Sequence, residues 1–229
     1  MKPLSSFHLK IIAIVCMTVD HVGMVFFPDQ IWMRVVGRLT FPLMAFMISE
    51  GFLYTHNLQK YLARMLIFAA IAAVPFFLLW GTPGNVLFTY FVEIIALYLQ
   101  QKTQSPVLKW LIVLVCGLVA ILFDYSIFGV LVVFAFYRSE YDVRKMFLYL
   151  LAIIAVFFLG LAAYCQFFLH SMQMFYDYQF QWGVFLALPL IAMYNGKLGA
   201  SGKNAFFRYG FYVYYPLNIF IIWVVQALL

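Results

Sequence analysis

Charge is what this chain most lacks. Lys, Arg, Asp and Glu together make up 10% of its residues, against about 25% in soluble domains. A globule of 229 residues cannot cover itself for water with so few. The deficit excludes a soluble domain and requires apolar surface to face lipid. The basic residues are spread thinly among the connections, which excludes a nucleic-acid-binding stripe. Cysteine is also scarce: Cys16, Cys116 and Cys165 lie inside apolar runs with no paired spacing. That excludes a disulfide framework and a thiolate metal site, and reads them as small buried hydrophobes. No repeat, linker or low-complexity tract divides the chain, so residues 1–229 are expected to form a single domain. The first apolar run, Leu9–Phe27, contains Asp20 and His21 and lacks a small-residue cleavage site, so it reads as a retained span and not a cleaved leader.

Hydrophobicity is what the chain has instead, with 67% apolar and 21% aromatic residues and a mean hydropathy of +0.99. A bilayer core of ~30 Å is crossed by ~20 helical residues, and open sheets cannot satisfy their backbone in lipid. No barrel-type alternation is present. The expected fold class is therefore all-α, a polytopic transmembrane helical bundle. Spans are predicted at Leu9–Phe27, Ile31–Tyr54, Tyr61–Trp80, Val86–Gln100, Val107–Asp124, Ile127–Tyr137, Lys145–Gln166, Phe180–Asn195 and Phe206–Leu229. The count is about nine, the fourth, sixth and eighth being short. Turn residues mark the breaks at Phe27-Pro28-Asp29, Gly81-Thr82-Pro83-Gly84-Asn85, Ser105-Pro106 and Asn195-Gly196.

Charge placement then orients the bundle. Lys2 and Lys10, Lys60 and Arg64, Lys102 and Lys109, Arg138, Arg144 and Lys145, and Lys197, Lys203 and Arg208 fall at every second connection. The intervening connections, Pro28–Gln30, Gly81–Asn85, Tyr125–Ser126 and Phe167–Gln179, contain no Lys or Arg. By the positive-inside rule the N-terminus is cytoplasmic and the C-terminus outside, in the cell's inner (cytoplasmic) membrane.

Arg34 and Arg38 do not fit this scheme. They lie in the outer half of the second span, four residues apart and so on one helix face. A charge at membrane depth is costly, faces the bundle interior and tends to be functional. The first connection is very short, so reflecting the chain about Asp29 brings Asp20 level with Arg38. An intramembrane cluster of Asp20, His21, Arg34 and Arg38 follows, with Asp20 and Arg38 in direct contact. A purely structural ion pair, with Arg34 snorkelling to the headgroups, is the plainer alternative. A histidine next to a carboxylate and facing arginines is what general-base or proton-relay chemistry uses. Neighbours on a helix point ~100° apart, so Asp20 is not expected to orient His21 itself.

Asn85, Thr89 and Glu93 recur every four residues as one polar stripe on the fourth span. Asp124 ends the fifth, and Asn218 follows Tyr214-Tyr215-Pro216 in the ninth. Together with Tyr215, these residues are the expected acceptor side of the site. The structural alternatives are a helix N-cap for Asn85 and an interhelical hydrogen bond for Glu93. Glu50, His56, Lys60 and Arg64 gather at the cytoplasmic edge, where Lys60 and Arg64 suit the phosphates of an anionic cofactor. His8 and His170 read as interface residues.

In register along the whole chain, these motifs resemble TraX, the conjugal-transfer protein family associated with N-acetylation of F-type pilin. The resemblance rests on Leu9-Lys10-Ile11-Ile12-Ala13, Asp20-His21-Val22-Gly23, and Arg34 with Gly37-Arg38-Leu39-Thr40-Phe41-Pro42. It continues through Glu50-Gly51-Phe52, Asn85-Val86-Leu87-Phe88-Thr89, Asp124-Tyr125 with Gly129-Val130-Leu131, Asn195-Gly196 and Tyr214-Tyr215-Pro216-Leu217. It implies an acetyltransferase that draws acetyl groups from cytoplasmic acetyl-CoA. More loosely, the chain is similar to multi-span acyltransferases that modify glycans with an intramembrane histidine. Asn218 stands where the family pattern has a histidine, and Ser126 where a glycine is typical.

The expected function is acetyl transfer from acetyl-CoA to an amine or hydroxyl on a protein or glycan at the outer side. His21 would be the base, Asp20 and Arg38 the charge balance, and Arg34 or Arg38 the oxyanion donor. No nucleic acid and no metal is expected. An ion- or proton-coupled transporter would use the same intramembrane charges but would usually carry an internal repeat, which is absent. A non-catalytic scaffold of a conjugation or secretion complex is the third reading.

Overall fold

The computed structural model describes residues 2–200 and 205–229, and of 205–208 the backbone. Lys203 and the Arg208 side chain, expected at a basic connection, lie outside the described residues. Every described element is helical, and among the described residues the only β feature is an isolated bridge between Leu4 and Tyr194. The helices are α1 (Ser6–Phe26), α2 (Ile31–Gly37), α3 (Thr40–Tyr54), α4 (Leu58–Trp80), α5 (Val86–Lys102), α6 (Pro106–Ala120) and α7 (Ser126–Ser139). After them come α8 (Val143–Tyr164), a π turn (Cys165–Leu169), α9 (Gln173–Asp177), a 3-10 helix (Tyr178–Leu186), α10 (Ala187–Ala192) and α11 (Ala205–Leu228).

Local chemistry sets the boundaries. Asn57 caps α4 by accepting from the Lys60 N–H at 2.8 Å, and Gly81 ends it in the left-handed region at φ 73°. Asp142 caps α8, and Ser105 with Pro106 opens α6.

Two predicted spans differ in form. The stretch 31–54 is two helices, interrupted at Arg38 and Leu39. Pro42 has no N–H, so the Arg38 carbonyl lacks its partner one turn on. The predicted eighth span, Phe180–Asn195, is not one α-helix but the 3-10 helix followed by α10, which contains Pro189. Gly183 is required where it packs, because a Cβ there would overlap the Val35 carbonyl oxygen.

Among the described residues, five stretches are long and apolar enough to cross a membrane: Ser6–Phe26, Ile31–Tyr54, Leu58–Trp80, Val143–Leu169 and Tyr209–Leu228. Half of the 31–54 stretch is buried inside the protein, against 22–28% for the other four, so α3 is the central element. It packs against α1, α5, α7 and α10. Leu43, Phe46, Met65, Ile94, Leu150 and Ile219 are nearly inaccessible in the core around it. The outward faces are apolar: Ile67, Ile71 and Val74 on α4, Leu111, Leu114 and Leu118 on α6, and Leu148, Val156 and Leu159 on α8 are all exposed. Such continuous apolar surface belongs against lipid, and the chain is a multi-pass membrane protein.

The connections sort to two ends. At one end the chain start meets the 193–197 loop, with Ser6 N–H donating to the Lys197 carbonyl and Asn195 N–H to that of Leu4, each at 2.8 Å. Near the other, Asp124 N–H donates to the Gly84 carbonyl at 2.7 Å, and the 3-10 helix lies against α2.

Candidate functional site

The site begins with an enforced close approach. Gly37 faces Asp20 so tightly that any Cβ at 37 would overlap the Asp20 carboxylate. Asp20, at 6% exposure, therefore sits directly against α2. Arg34 Nη1 donates to its Oδ1 and Arg38 Nη2 to its Oδ2, both at 2.7 Å. The Asp20–Arg38 contact expected from the short first connection is present, and Arg34 joins it instead of snorkelling. One carboxylate thus serves two guanidiniums, leaving one positive charge unmatched within the cluster. The Phe180 ring lies 5.0 Å from the Arg34 guanidinium and 5.2 Å from that of Arg38. Arg38 Nε is buried and donates to nothing. A buried N–H without a partner is rare, and in a reaction site it is a ready donor.

His21 is oriented from across the chain. Its Nδ1 lies 3.1 Å from Asn218 Oδ1, which can only accept, so Nδ1 carries a hydrogen and, in the neutral imidazole, Nε2 keeps its lone pair. Asn218 is itself held, donating through Nδ2 to Thr18 Oγ1 at 3.3 Å, and Thr18 pairs with the Tyr214 hydroxyl at 2.8 Å. Trp80 meets the imidazole edge-on at 5.2 Å between centroids. Asn218 is therefore a positioning residue for His21 and not a wall of the acceptor site as expected. It stands 197 positions away, and only its place after Tyr214-Tyr215-Pro216 in the motif pointed to it.

Asp20, His21, Arg34 and Arg38 line one cavity of about 350 Å³. Asp124 and Tyr215 also line it, as expected, and so do Tyr90, Tyr125, Trp80 and Phe180, which sequence reasoning did not select. Tyr125 and Ser126 both have positive φ, 63° and 49°, a conformation costly for residues with a Cβ. That turn delivers the Tyr125 ring onto Phe41 at 3.9 Å, and Phe41 stacks in turn with Tyr90 at 5.9 Å.

The polar stripe of α5 does not reach this cavity. Asn85, with 0% exposure, accepts from Leu87 N–H at 3.0 Å and donates to the Ala69 carbonyl at 2.9 Å. Both ends of its amide are occupied, which is the N-cap alternative. Thr89 donates to the Asp124 carbonyl. Glu93, 1% exposed, presses against Gly129, and neither carboxyl oxygen has a hydrogen-bond partner, so neither the expected place on the acceptor side nor the alternative interhelical bond is seen. All three are buried behind the wall: Asn85 turns to α4, while Thr89 and Glu93 turn to the 120–125 turn and α7.

A second cavity of about 410 Å³ lies toward the other end, lined by Lys10, His56, Tyr61, Arg64, Tyr212 and several methionines. Arg64 stands 5.7 to 5.8 Å from the rings of Tyr61, Tyr209 and Tyr212. Lys60 is not on this wall. It is exposed one turn before Arg64, in the first turn of α4. Lys10 takes the place expected for it, and the signal was in the sequence: Lys10, Ile14, Met17 and His21 follow the spacing of one helix face. Met17, Thr40, Val86, Tyr90 and Tyr215 line both cavities. Among the described residues no group of His, Cys, Asp and Glu is placed to hold a metal ion, and Cys16, Cys116 and Cys165 are buried and unpaired.

A half-buried histidine beside a carboxylate–guanidinium cluster, lining one of two adjoining cavities in a lipid-facing helical bundle, defines a multi-pass membrane protein with an intramembrane polar site. The family model described as TraX protein matches residues 5–226, and the chain belongs to the TraX family. It is 34% identical over 241 residues to the probable fimbrial assembly protein FimC, serogroup H1, of Dichelobacter nodosus, covering 94% of this chain and 93% of that protein. It is also 30% identical over 66 residues to the uncharacterized protein RP591 of Rickettsia prowazekii (strain Madrid E), covering 29% of this chain and 25% of that one. No solved structure matches the chain.

Proposed function

We propose that the protein transfers an acetyl group from acetyl-CoA, bound on the cytoplasmic side, to an amine or hydroxyl of a pilus-related protein or a glycan on the outer side of the inner membrane. The observation that carries this reading is His21, held by Asn218 through Nδ1 and lining the same cavity as Arg38, whose Nε–H is unpaired, with a second, basic cavity sharing one wall.

The residues divide the work as follows. Lys10 and Arg64 suit the phosphates of acetyl-CoA, and the methionine- and tyrosine-rich wall suits its pantetheine arm. From Lys10 to His21 the face of α1 runs ~16 Å at 1.5 Å per residue, about the reach of such an arm. The acceptor N–H or O–H loses its proton to His21 Nε2 as its nitrogen or oxygen attacks the thioester carbonyl carbon. The C–S bond then breaks, a C–N or C–O bond remains, and the thiolate leaves with that proton as a free thiol. Arg38 Nε–H donates to the oxyanion in between, and Asp20 keeps both guanidiniums in place.

The sidedness follows from nine crossings. The 3-10 helix and α10 together rise ~27 Å, because a 3-10 helix rises ~2.0 Å per residue, so the short eighth segment comes within a few ångströms of the ~30 Å core. A reporter fused after Leu229 is expected to behave as extracytoplasmic. A cytoplasmic reporter signal would remove one crossing, first of all α7.

Two further outcomes are expected. Arg64→Glu, alone or with Lys10→Glu, weakens coenzyme A binding by tenfold or more, while Lys60→Glu leaves it within a factor of about two, measured by titration of the purified protein. Equal effects at Lys60 and Arg64 would move the nucleotide out of the second cavity. Asn218→Leu removes the hydrogen bond that fixes the His21 tautomer, worth about 1 kcal/mol, and slows transfer roughly fivefold to tenfold without changing coenzyme A affinity.

A further inference from the structure

Five residues line both cavities, and a side chain that faces two cavities stands between them. Four members of this partition are restrained. Tyr90 is 3% exposed and stacked on Phe41, which is itself stacked on Tyr125. Thr40 Oγ1 donates to the Ala13 carbonyl at 3.1 Å. Tyr215 is 7% exposed and packed in the main core. Val86 is branched at Cβ, so its rotamer is fixed in the helix, and it follows the doubly bonded Asn85. Met17 is the adaptable member. It packs against the same core but is partly exposed, makes no side-chain hydrogen bond, and has three rotatable bonds and a compliant thioether. It also lies one helical turn from His21 on the same face.

We propose that Met17 is the gate between the two cavities and the residue that sets the size of the transferred acyl group; this rests on the acyl-transfer reading above. The thioester carbon reaches His21 only through the throat that Met17, Thr40, Val86, Tyr90 and Tyr215 enclose. Four walls are fixed, so the passage opens by rotation of the Met17 side chain. Even turned aside, that side chain keeps its volume within the throat. An acetyl group fits beside it, and each added methylene has to displace packed atoms. A hydrophobic pocket that just admits one chain length discriminates against one more methylene by about tenfold to two-hundredfold. Met17→Ala removes the atoms that fill the throat and leaves the fixed walls unchanged. Met17→Phe puts a ring there that cannot fold away.

The test uses inverted membrane vesicles from the native host carrying each variant, supplied with acetyl-CoA, propionyl-CoA or butyryl-CoA labelled at the acyl carbonyl. The readout is label transferred to vesicle protein and glycan, with coenzyme A binding by the purified variants as the folding check. Met17→Ala raises the butyryl-to-acetyl rate ratio at least tenfold. Met17→Phe lowers acetyl transfer more than tenfold while it still binds coenzyme A. Wild-type transfer with the same chain-length profile in Met17→Ala, or undiminished transfer by Met17→Phe, overturns the role of Met17 and leaves acetyl transfer standing. No transfer by the wild type from any donor overturns the acyltransferase reading and the gate with it.

Discussion

His21→Gln is expected to lose acetyl transfer by roughly 10²- to 10⁴-fold, the range that a positioned general base contributes. Glutamine fills similar space, and its amide still bonds to Asn218, but it offers no basic nitrogen to the acceptor. The variant inserts and binds coenzyme A as the wild type does, because Lys10 and Arg64 lie in the other cavity. Comparing initial rates of labelled acetyl transfer with coenzyme A affinity separates the two effects. His21→Ala should be equally inactive, and it also leaves Asn218 Oδ1 without its donor. Near wild-type transfer by His21→Gln would remove His21 from the chemistry, although the family membership would stand.

Asp20→Asn is expected to damage the fold as well as the reaction. The substitution leaves two guanidiniums, Arg38 at 8% exposure, facing one neutral amide. Removing one partner from a buried ion pair costs roughly 3–5 kcal/mol, because the uncompensated charge stays behind. Thermal unfolding of the purified protein in detergent reports it as a large loss of stability. Replacing Asp20, Arg34 and Arg38 together by leucine should cost less than Asp20→Asn alone, since no charge is then stranded. That triple variant should be folded but inactive. An Asp20→Asn protein as stable as the wild type would show that water reaches the cluster freely, and would argue against a dry reaction site.

These two residues were legible in the sequence for a simple reason. A connection as short as 27–30 forces two helices into antiparallel register, so depth alone paired Asp20 with Arg38. The all-helical bundle was equally legible, because a chain with 10% charge and no barrel-type alternation satisfies its backbone against lipid only as helices. The break at Arg38 was available too, since Pro42 removes the one N–H that would have carried the helix through.

Other features depend on which face of each helix turns inward, and periodicity alone does not decide that. The stripe of Asn85, Thr89 and Glu93 was read as facing the acceptor, yet it turns to α4, the 120–125 turn and α7, and two of the three are consumed by backbone groups. Asn218 was placed near the site, but its bond to His21 depends on the docking of α11 against α1. Lys60 and Arg64 share a face of α4, and only their depth separates the exposed residue from the cavity wall. The 3-10 segment at 178–186 gave no sequence signal, because its 3.0-residue period resembles that of an apolar α-helix over so short a run.

The central claim is that an acetyl group crosses from the Arg64 cavity to the His21 cavity. The most direct measurement supplies acetyl-CoA labelled in its acetyl group to the cytoplasmic face of sealed inverted vesicles, then asks which face carries the labelled acceptor. The account predicts label on lumen-facing protein or glycan, protected from added protease and glycosidase until the vesicles are opened, and absent with His21→Gln. Label that is fully accessible on the cytoplasmic face, or label that appears equally with His21→Gln, would contradict it.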